Sequence, residues 1–239
     1  VLEALRSGRP VDKIWFQEGA QDVDVVREIR RRVREERIPF HNVERAVLER
    51  LTGGGNHQGI VAAIATHEYA TWADVEKRAK ERNEEPLVLV LDEIQDPHNL
   101  GSLIRTADAA GFHGVVVPPR RAAGLTGTVS KASAGADAWM PVIKTPNIAR
   151  FLQMGADNAF HIIGADSSGT LDYREARYDL PLLLVMGGEH KGLGRLIEKT
   201  CHQVVRIPMR GQVGSLNVSV AGALLMYEAV RQREKRAGS

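Results

Sequence analysis

The chain has 239 residues, 43% hydrophobic and 26% charged, a mix that suits one large or two ordinary globular domains with real cores. With 32 basic against 30 acidic residues the formal net charge is +2, so bulk charge neither announces nor excludes a nucleic-acid partner, and a local patch has to decide. No apolar run approaches the roughly 20 residues that cross a bilayer, and a single cysteine, Cys201, excludes an intrachain disulfide and fits a reducing cytoplasm. The sequence opens at Val1 rather than at methionine, so residues ahead of it are expected.

Residues 1–66 read as a small α/β unit. VDKIWF (Val11 to Phe16) is a strand. Val23 to Arg37 is a helix with Val23, Val26, Ile29 and Val33 on one face. Val43 to Leu51 is a second helix, and Gly59 to Ala65 a buried strand. Between them TGGGNHQG (Thr52 to Gly59) has to be a loop, because three consecutive glycines form no regular element. The first helix carries Arg27, Arg30, Arg31, Arg32, Arg34 and Arg37, partly offset by Glu28, Glu35 and Glu36. Two readings stay open for it, a solvated face and a surface that approaches phosphates. The polar stretch from Thr66 to Pro86 is expected to be a linker with a helix, placing a linker over 67–85.

From Leu87 the texture changes. Leu87 to Asp92, Gly114 to Pro118, Phe160 to Asp166, Leu182 to Gly187 and Gln203 to Pro208 are near-continuous apolar runs, as in parallel strands buried on both faces. Helical patterns cover Leu100 to Ala110, Asn147 to Asn158, Gly192 to Thr200 and Asn217 to Arg236. Residues 86–239 therefore read as an open, doubly wound α/β domain, in which ligands bind beyond the carboxyl ends of strands.

Three loops at such ends carry candidate chemistry. In DPHNLGSLIRTA (Asp96 to Ala107), Asn99 can cap the helix or reach a ligand, and Gly101 permits close backbone approach. Arg105 follows among apolar and small residues. It is either an ordinary solvated arginine or one whose fork grips a phosphate. In MGGEHKGLG (Met186 to Gly194), Gly187 and Gly188 bring the backbone close to something, and Glu189 suits a helix start or a functional role. Neither GxxxxGK[ST] nor GxGxxG occurs, so phosphate-loop and dinucleotide fingerprints fail. In RIPMRGQVGSLNVSV (Arg206 to Val220), Ser215 is placed to cap the last helix and Asn217 to lie in its first turn. The apolar positions Val218, Ala221, Leu225 and Ala229 of that helix suit a core or a dimer face equally. Scattered histidines and a lone cysteine give no metal-ligand cluster, so no metal is expected.

These segments closely resemble the SpoU class of RNA ribose 2'-O-methyltransferases, within the wider group of knotted methyltransferases. Asn99, Gly101, Arg105, Thr106 and Ala107 match its first motif. Gly187, Glu189 and Gly192 match its second. Ile207, Pro208, Met209, Ser215, Leu216, Asn217, Val218, Ser219 and Ala221 match its third. HQG (His57 to Gly59) and DPHNLG resemble the branch that methylates a guanosine of large-subunit rRNA. His190 departs from the usual glycine, and Arg210 from the small residue common there.

The resemblance implies a deep trefoil knot in a mostly parallel sheet domain, preceded by a small ribosomal-protein-like α/β domain that binds RNA. It implies S-adenosylmethionine as cofactor, a homodimer formed through the methyltransferase domain, a cytoplasmic location and the GGGNHQG loop as an RNA contact. Gly187, Gly188, Ile207, Met209 and Leu216 are its expected cofactor contacts, and Asn99, Arg105, Glu189, Ser215 and Asn217 its expected catalytic set. In this family the arginine is often given the role of general base. An arginine side chain stays protonated, which favours Arg105 as a clamp on the target phosphate. The motifs specify the chemistry rather than the base. A tRNA ribose methyltransferase, an rRNA adenosine methyltransferase conferring antibiotic resistance, and a non-catalytic RNA-binding protein stand as alternatives.

Overall fold

The computed structural model describes residues 1–6, 11–19, 24–65, 67–188 and 192–237. They form two compact units, residues 1–68 with 124–127, and residues 69–123 with 128–239.

The first unit orders α1 (Leu2–Arg6), β1 (Val11–Gln17), α2 (Asp24–Glu35), β2 (Phe40–Val43), α3 (Arg45–Thr52) and β3 (Ile60–Ile64). β1 is central, parallel to β2 and antiparallel to β3. Its alternate residues Ile14 and Phe16 are buried against Val26, Ile29 and Val33 of α2, so period 2 meets period 3.6 along one apolar seam. The expected helix start at Val23 lies outside the described residues. Val43, expected in a helix, ends β2 instead. Pro39 disfavours helical geometry just before it, and Phe40 to Val43 pair with β1.

The basic run on α2 is largely offset by its own acids. Arg27 pairs with Asp24, Arg31 with Glu35 at 2.9 Å and Arg32 with Glu28 at 3.5 Å, while Arg30 stacks 4.2 Å over the Phe16 ring.

The second unit runs α4 (Trp72–Arg82), β4 (Leu87–Leu91), α5 (Pro97–Ala109), β5 (Gly114–Val117), α6 (Gly127–Ala132), a 3₁₀ turn (Ala136–Ala138), β6 (Val142–Lys144), α7 (Ile148–Asp157), β7 (His161–Ala165), β8 (Leu171–Asp172), β9 (Leu182–Met186), α8 (Arg195–Thr200), β10 (Gln203–Arg206) and α9 (Val218–Ala237). The seven strands lie in the order β6-β5-β4-β9-β7-β10-β8, and every neighbouring pair is parallel. All five residues of β4 and of β9 are buried, each contributing about 1.5–3 kcal/mol of apolar burial. Val75 of α4, Ile148 and Leu152 of α7 and Ile197 of α8 cover one face together with Val88, Val90 and Val185. α5 and α9 pack on each other, so closely that a β-carbon on Gly222 would meet Leu103 at 2.5 Å.

Residues 67–85 contain the expected helix as α4. Thr71 and Asp74 form a reciprocal capping box at the start of α4, and Asn83 ends the helix in left-handed geometry at φ 54°. Val75 and Ala79 are buried in the core of the second unit, and Ala70 bridges Ile143 beside β6. The expected helix at Gly192 begins only at Arg195, because Gly192 itself adopts φ +61°. α5 starts earlier than expected. Asp96 is its cap, accepting from the His98 N–H at 2.9 Å, and Pro97 takes the first helical position, where its missing N–H costs nothing. Asn99 is therefore inside the helix rather than its cap.

Candidate active site

The carboxyl ends of β7, β9 and β10 open onto one cavity of about 590 Å³, closed on the far side by the start of α9. The strand order reverses direction beside β4, and such switch points are where open α/β sheets bind ligands. The walls mix apolar side chains (Met186, Val205, Ile207, Met209, Leu216 and Leu225) with polar groups from Asp166, Ser167, Ser215 and Asn217. A cavity of this size and character suits a nucleoside-sized ligand.

The third motif is built around Asn217. Its carbonyl accepts the first helical bond of α9, from the Ala221 N–H at 2.9 Å. Its side-chain oxygen accepts from the Ser219 N–H at 2.9 Å and the Ser219 hydroxyl at 2.6 Å. Asn217 is thus the N-cap, correcting the expectation that Ser215 caps the helix and that Asn217 lies in its first turn. Ser215 is exposed and lines the cavity instead. The amide nitrogen of Asn217 donates to Asn99 Oδ1 at 3.0 Å, across 118 residues of chain. Asn99 is only 8% exposed, on the first turn of α5. First and third motifs therefore meet through a direct side-chain bond.

The glycine-rich turn after β9 is shaped by contact. Gly187 and Gly188 both line the cavity, and the Gly192 N–H donates to the Gly188 carbonyl at 3.0 Å. A β-carbon on Gly187 would lie 2.2 Å from the Gly192 carbonyl oxygen, so only glycine permits this closure. Glu189, with His190 and Lys191, lies outside the described residues.

Asp166 directly follows β7 and faces Gly192 and Leu193. Its carboxylate accepts the Leu193 N–H at 2.8 Å on one oxygen, and the Ser168 N–H at 2.9 Å and hydroxyl at 2.7 Å on the other. Burial pushes this carboxyl up, but the bonds from Ser168 and Leu193 outweigh it and hold it below the usual carboxylate range. Sequence reasoning passed over Asp166. The signal available was an acid placed directly after an apolar strand. Beside the cavity, burial pushes the Asp92 carboxyl up, reinforced by Glu93 and opposed by Arg121. Glu93 itself pairs with Arg121 at 2.9 Å.

All five expected cofactor residues (Gly187, Gly188, Ile207, Met209 and Leu216) line the one cavity, as do Ser215 and Asn217. Arg105 does not. It is exposed on α5, a different side from Asn99, and among the described residues its side chain makes no hydrogen bond or ion pair.

A sequence model of the SpoU rRNA Methylase family matches residues 86–227, and a second, for RNA 2'-O ribose methyltransferase substrate binding, matches residues 1–70. The chain belongs to the SpoU rRNA methylase family. A relative from Bacillus subtilis, assigned by name to the TrmH family of tRNA/rRNA methyltransferases as YacO, is 44% identical over 233 residues, covering 98% of this chain and 93% of that protein. Among solved structures, the SpoU methyltransferase AviRb from Streptomyces viridochromogenes in complex with AdoMet is similar at a TM-score of 0.63 and 26% identity, over 97% of this chain and 87% of that one. A TrmH/SpoU tRNA modifying enzyme from A. aeolicus is similar at 0.59 and 29% identity, over 68% of this chain and 86% of that one.

As a SpoU methylase the chain is an S-adenosylmethionine-dependent RNA methyltransferase. Its own residues fit that cofactor. The cavity offers apolar walls for an adenine and backbone groups at Gly187 and Gly188 for polar contacts. Among the described residues no helix is long and apolar enough to cross a membrane.

Proposed function

We propose that this SpoU methylase methylates the ribose 2'-hydroxyl of a guanosine in large-subunit rRNA, in the cytoplasm. The match of residues 1–70 to RNA 2'-O ribose methyltransferase substrate binding supports the ribose oxygen as target, and the Asn217–Asn99 bond at 3.0 Å joins two distant motifs beside the nucleoside-sized cavity that Asn217 lines. The HQG and DPHNLG segments favour the rRNA guanosine branch. In this reading residues 1–66 hold the RNA, and residues 86–239 carry the chemistry on a trefoil-knotted domain.

When bound, S-adenosylmethionine supplies the methyl group as an activated electrophile. The protein's part is to place the ribose and manage its proton. Ile207, Met209 and Leu216 wall the adenosine, and Gly187 and Gly188 offer backbone contacts to it. Asn217, pinned by Ser219 and Asn99, orients the nucleophile's side of the cavity, with Ser215 beside it. Arg105, exposed and unpaired among the described residues, clamps the target phosphate and holds the ribose in line. Glu189 is assigned to orienting Arg105 and the ribose.

Homodimerisation through the second unit accompanies this reading. Val218, Leu225 and Ala229 of α9 turn out to be buried in the unit's own core, whereas Val220, Leu224 and Tyr227 form a second stripe at i, i+4 and i+7 that is 50%, 40% and 52% exposed. A stripe of this kind suits a partner copy.

A tRNA substrate is the second reading, favoured by the tRNA modifying relative from A. aeolicus. The deciding experiment offers labelled S-adenosylmethionine with protein-free large-subunit rRNA and, separately, bulk tRNA, then maps the labelled nucleotide. Label on one rRNA guanosine is the expected result. Label on tRNA alone would keep the chemistry and overturn the substrate.

A further inference from the structure

We infer that Asp166 is a positioning residue for cofactor binding, a carboxylate staple that holds the Gly192–Leu193 backbone, downstream of β9, against the cavity. The inference rests on the reading of that cavity as the cofactor site. Three observations carry it.

The first is the bonding. One carboxylate joins two separate walls, taking the Leu193 N–H from the turn after β9 and the Ser168 N–H and hydroxyl from the turn after β7. A carboxylate offers about four acceptor positions, so most are committed to the backbone and to one hydroxyl.

The second is the space. Gly192 sits at φ +61°, and a β-carbon there would lie 2.0 Å from Asp166 Oδ2. The carboxylate fills the room a side chain would need, so turn and staple are fitted to each other.

The third is location. Asp166, Gly187, Gly188 and Gly192 all line the same cavity, and the register pairs Ala165 with Met186, so the two turns leave adjacent strands side by side. The Gly192 N–H also donates to the Gly188 carbonyl at 3.0 Å, so the stapled Gly192–Leu193 backbone is joined to the residues that leave β9. Charge-assisted bonds from backbone N–H groups are the strong kind, and pre-ordering a binding loop raises affinity by removing the ordering cost.

The test uses the full chain and S-adenosylmethionine alone, titrated calorimetrically, with amide exchange at Leu193 followed in parallel. Asp166→Asn keeps size but provides a single acceptor oxygen, and Asp166→Ala provides none. Affinity is expected to fall about tenfold for Asp166→Asn and further for Asp166→Ala, with Ser168→Ala within about twofold of wild type. The Leu193 amide is expected to exchange at least about tenfold faster in Asp166→Ala than in wild type. Packing alone would leave the near-isosteric Asp166→Asn at wild-type affinity, and that result overturns the staple. If wild type itself bound no S-adenosylmethionine, the cavity reading would fail. The cofactor-free exchange of Leu193 would then decide the staple separately, with equal rates in wild type and Asp166→Ala overturning it.

Discussion

Asn217 serves two structures with one side chain. Its oxygen caps α9 through Ser219, and its nitrogen reaches Asn99 on α5. The two roles separate by substitution. Serine caps helices about as well as asparagine but is too short to reach Asn99. Asn217→Ser is therefore expected to keep stability within about 0.5 kcal/mol while methyl transfer falls at least about tenfold. Denaturant unfolding and initial rates check the two halves. Arg105→Ala is expected to lose rate in the same way while S-adenosylmethionine affinity holds. A different residue contributes to acid stability. His113 is fully buried, its Nδ1 accepts the Leu87 N–H at 2.9 Å, and its Nε2 lies 3.2 Å from Glu84. Burial, helped by Arg82, Arg233 and Arg78 against the pull of Glu84, holds its pKa down at about 4 from 6.5. The unfolded chain then binds the proton more readily, so the contribution is complete above about pH 6.5 and is lost as pH falls towards 4. Between pH 7.5 and 5 the His113 term is about 2 kcal/mol, at about 1.4 kcal/mol for each of the roughly 1.5 pH units below 6.5. His113→Gln should flatten that part of the stability profile, read by unfolding at several pH values.

At the level of elements, α9 explains why a helix can be apolar on two sides. Leu225 and Ala229 are buried, whereas Val220, Leu224 and Tyr227 stay exposed, the stripe on which the proposed dimer rests. Charge on that stripe should break the pair without harming the fold. Leu224→Asp with Tyr227→Asp is expected to shift the chain from dimer to monomer by light scattering, at little change in unfolding midpoint. A monomeric wild type would contradict this. Strands β4, β5, β7 and β9 were legible because they are apolar runs, which burial on both faces explains, and β10 was legible although only Val205 of it is buried. β6 and β8 were not, since three and two residues show no period. The start of α5 was legible in principle from Asp96 and Pro97, but the apolar pattern from Leu100 drew attention past them. The helix expected within residues 67–85 is α4, but its packing was not legible, because the helix is mostly charged and its two buried positions, Val75 and Ala79, are too few to stand out. In the site, the motif residues were legible by resemblance. The Asn99–Asn217 bond and the Asp166 staple were not, because each joins chain segments that only the fold brings together.

For the molecule as a whole, a net charge of +2 leaves RNA binding to local surfaces, and the pairing of arginines along α2 with their own acids weakens that helix as the main one. The proposed division of labour is supported by the two family matches, a substrate-binding model over residues 1–70 and a methylase model over residues 86–227. What unites the account is the claim that the reacting atom is a ribose oxygen. A 2'-O-methyl group removes the hydroxyl through which alkali cleaves RNA, so the phosphodiester after it survives. The most direct measurement is therefore alkaline hydrolysis of RNA labelled by this chain from methyl-labelled S-adenosylmethionine. The account predicts that the label emerges in an alkali-resistant dinucleotide. Label released in single nucleotides would place the methyl on a base and contradict it.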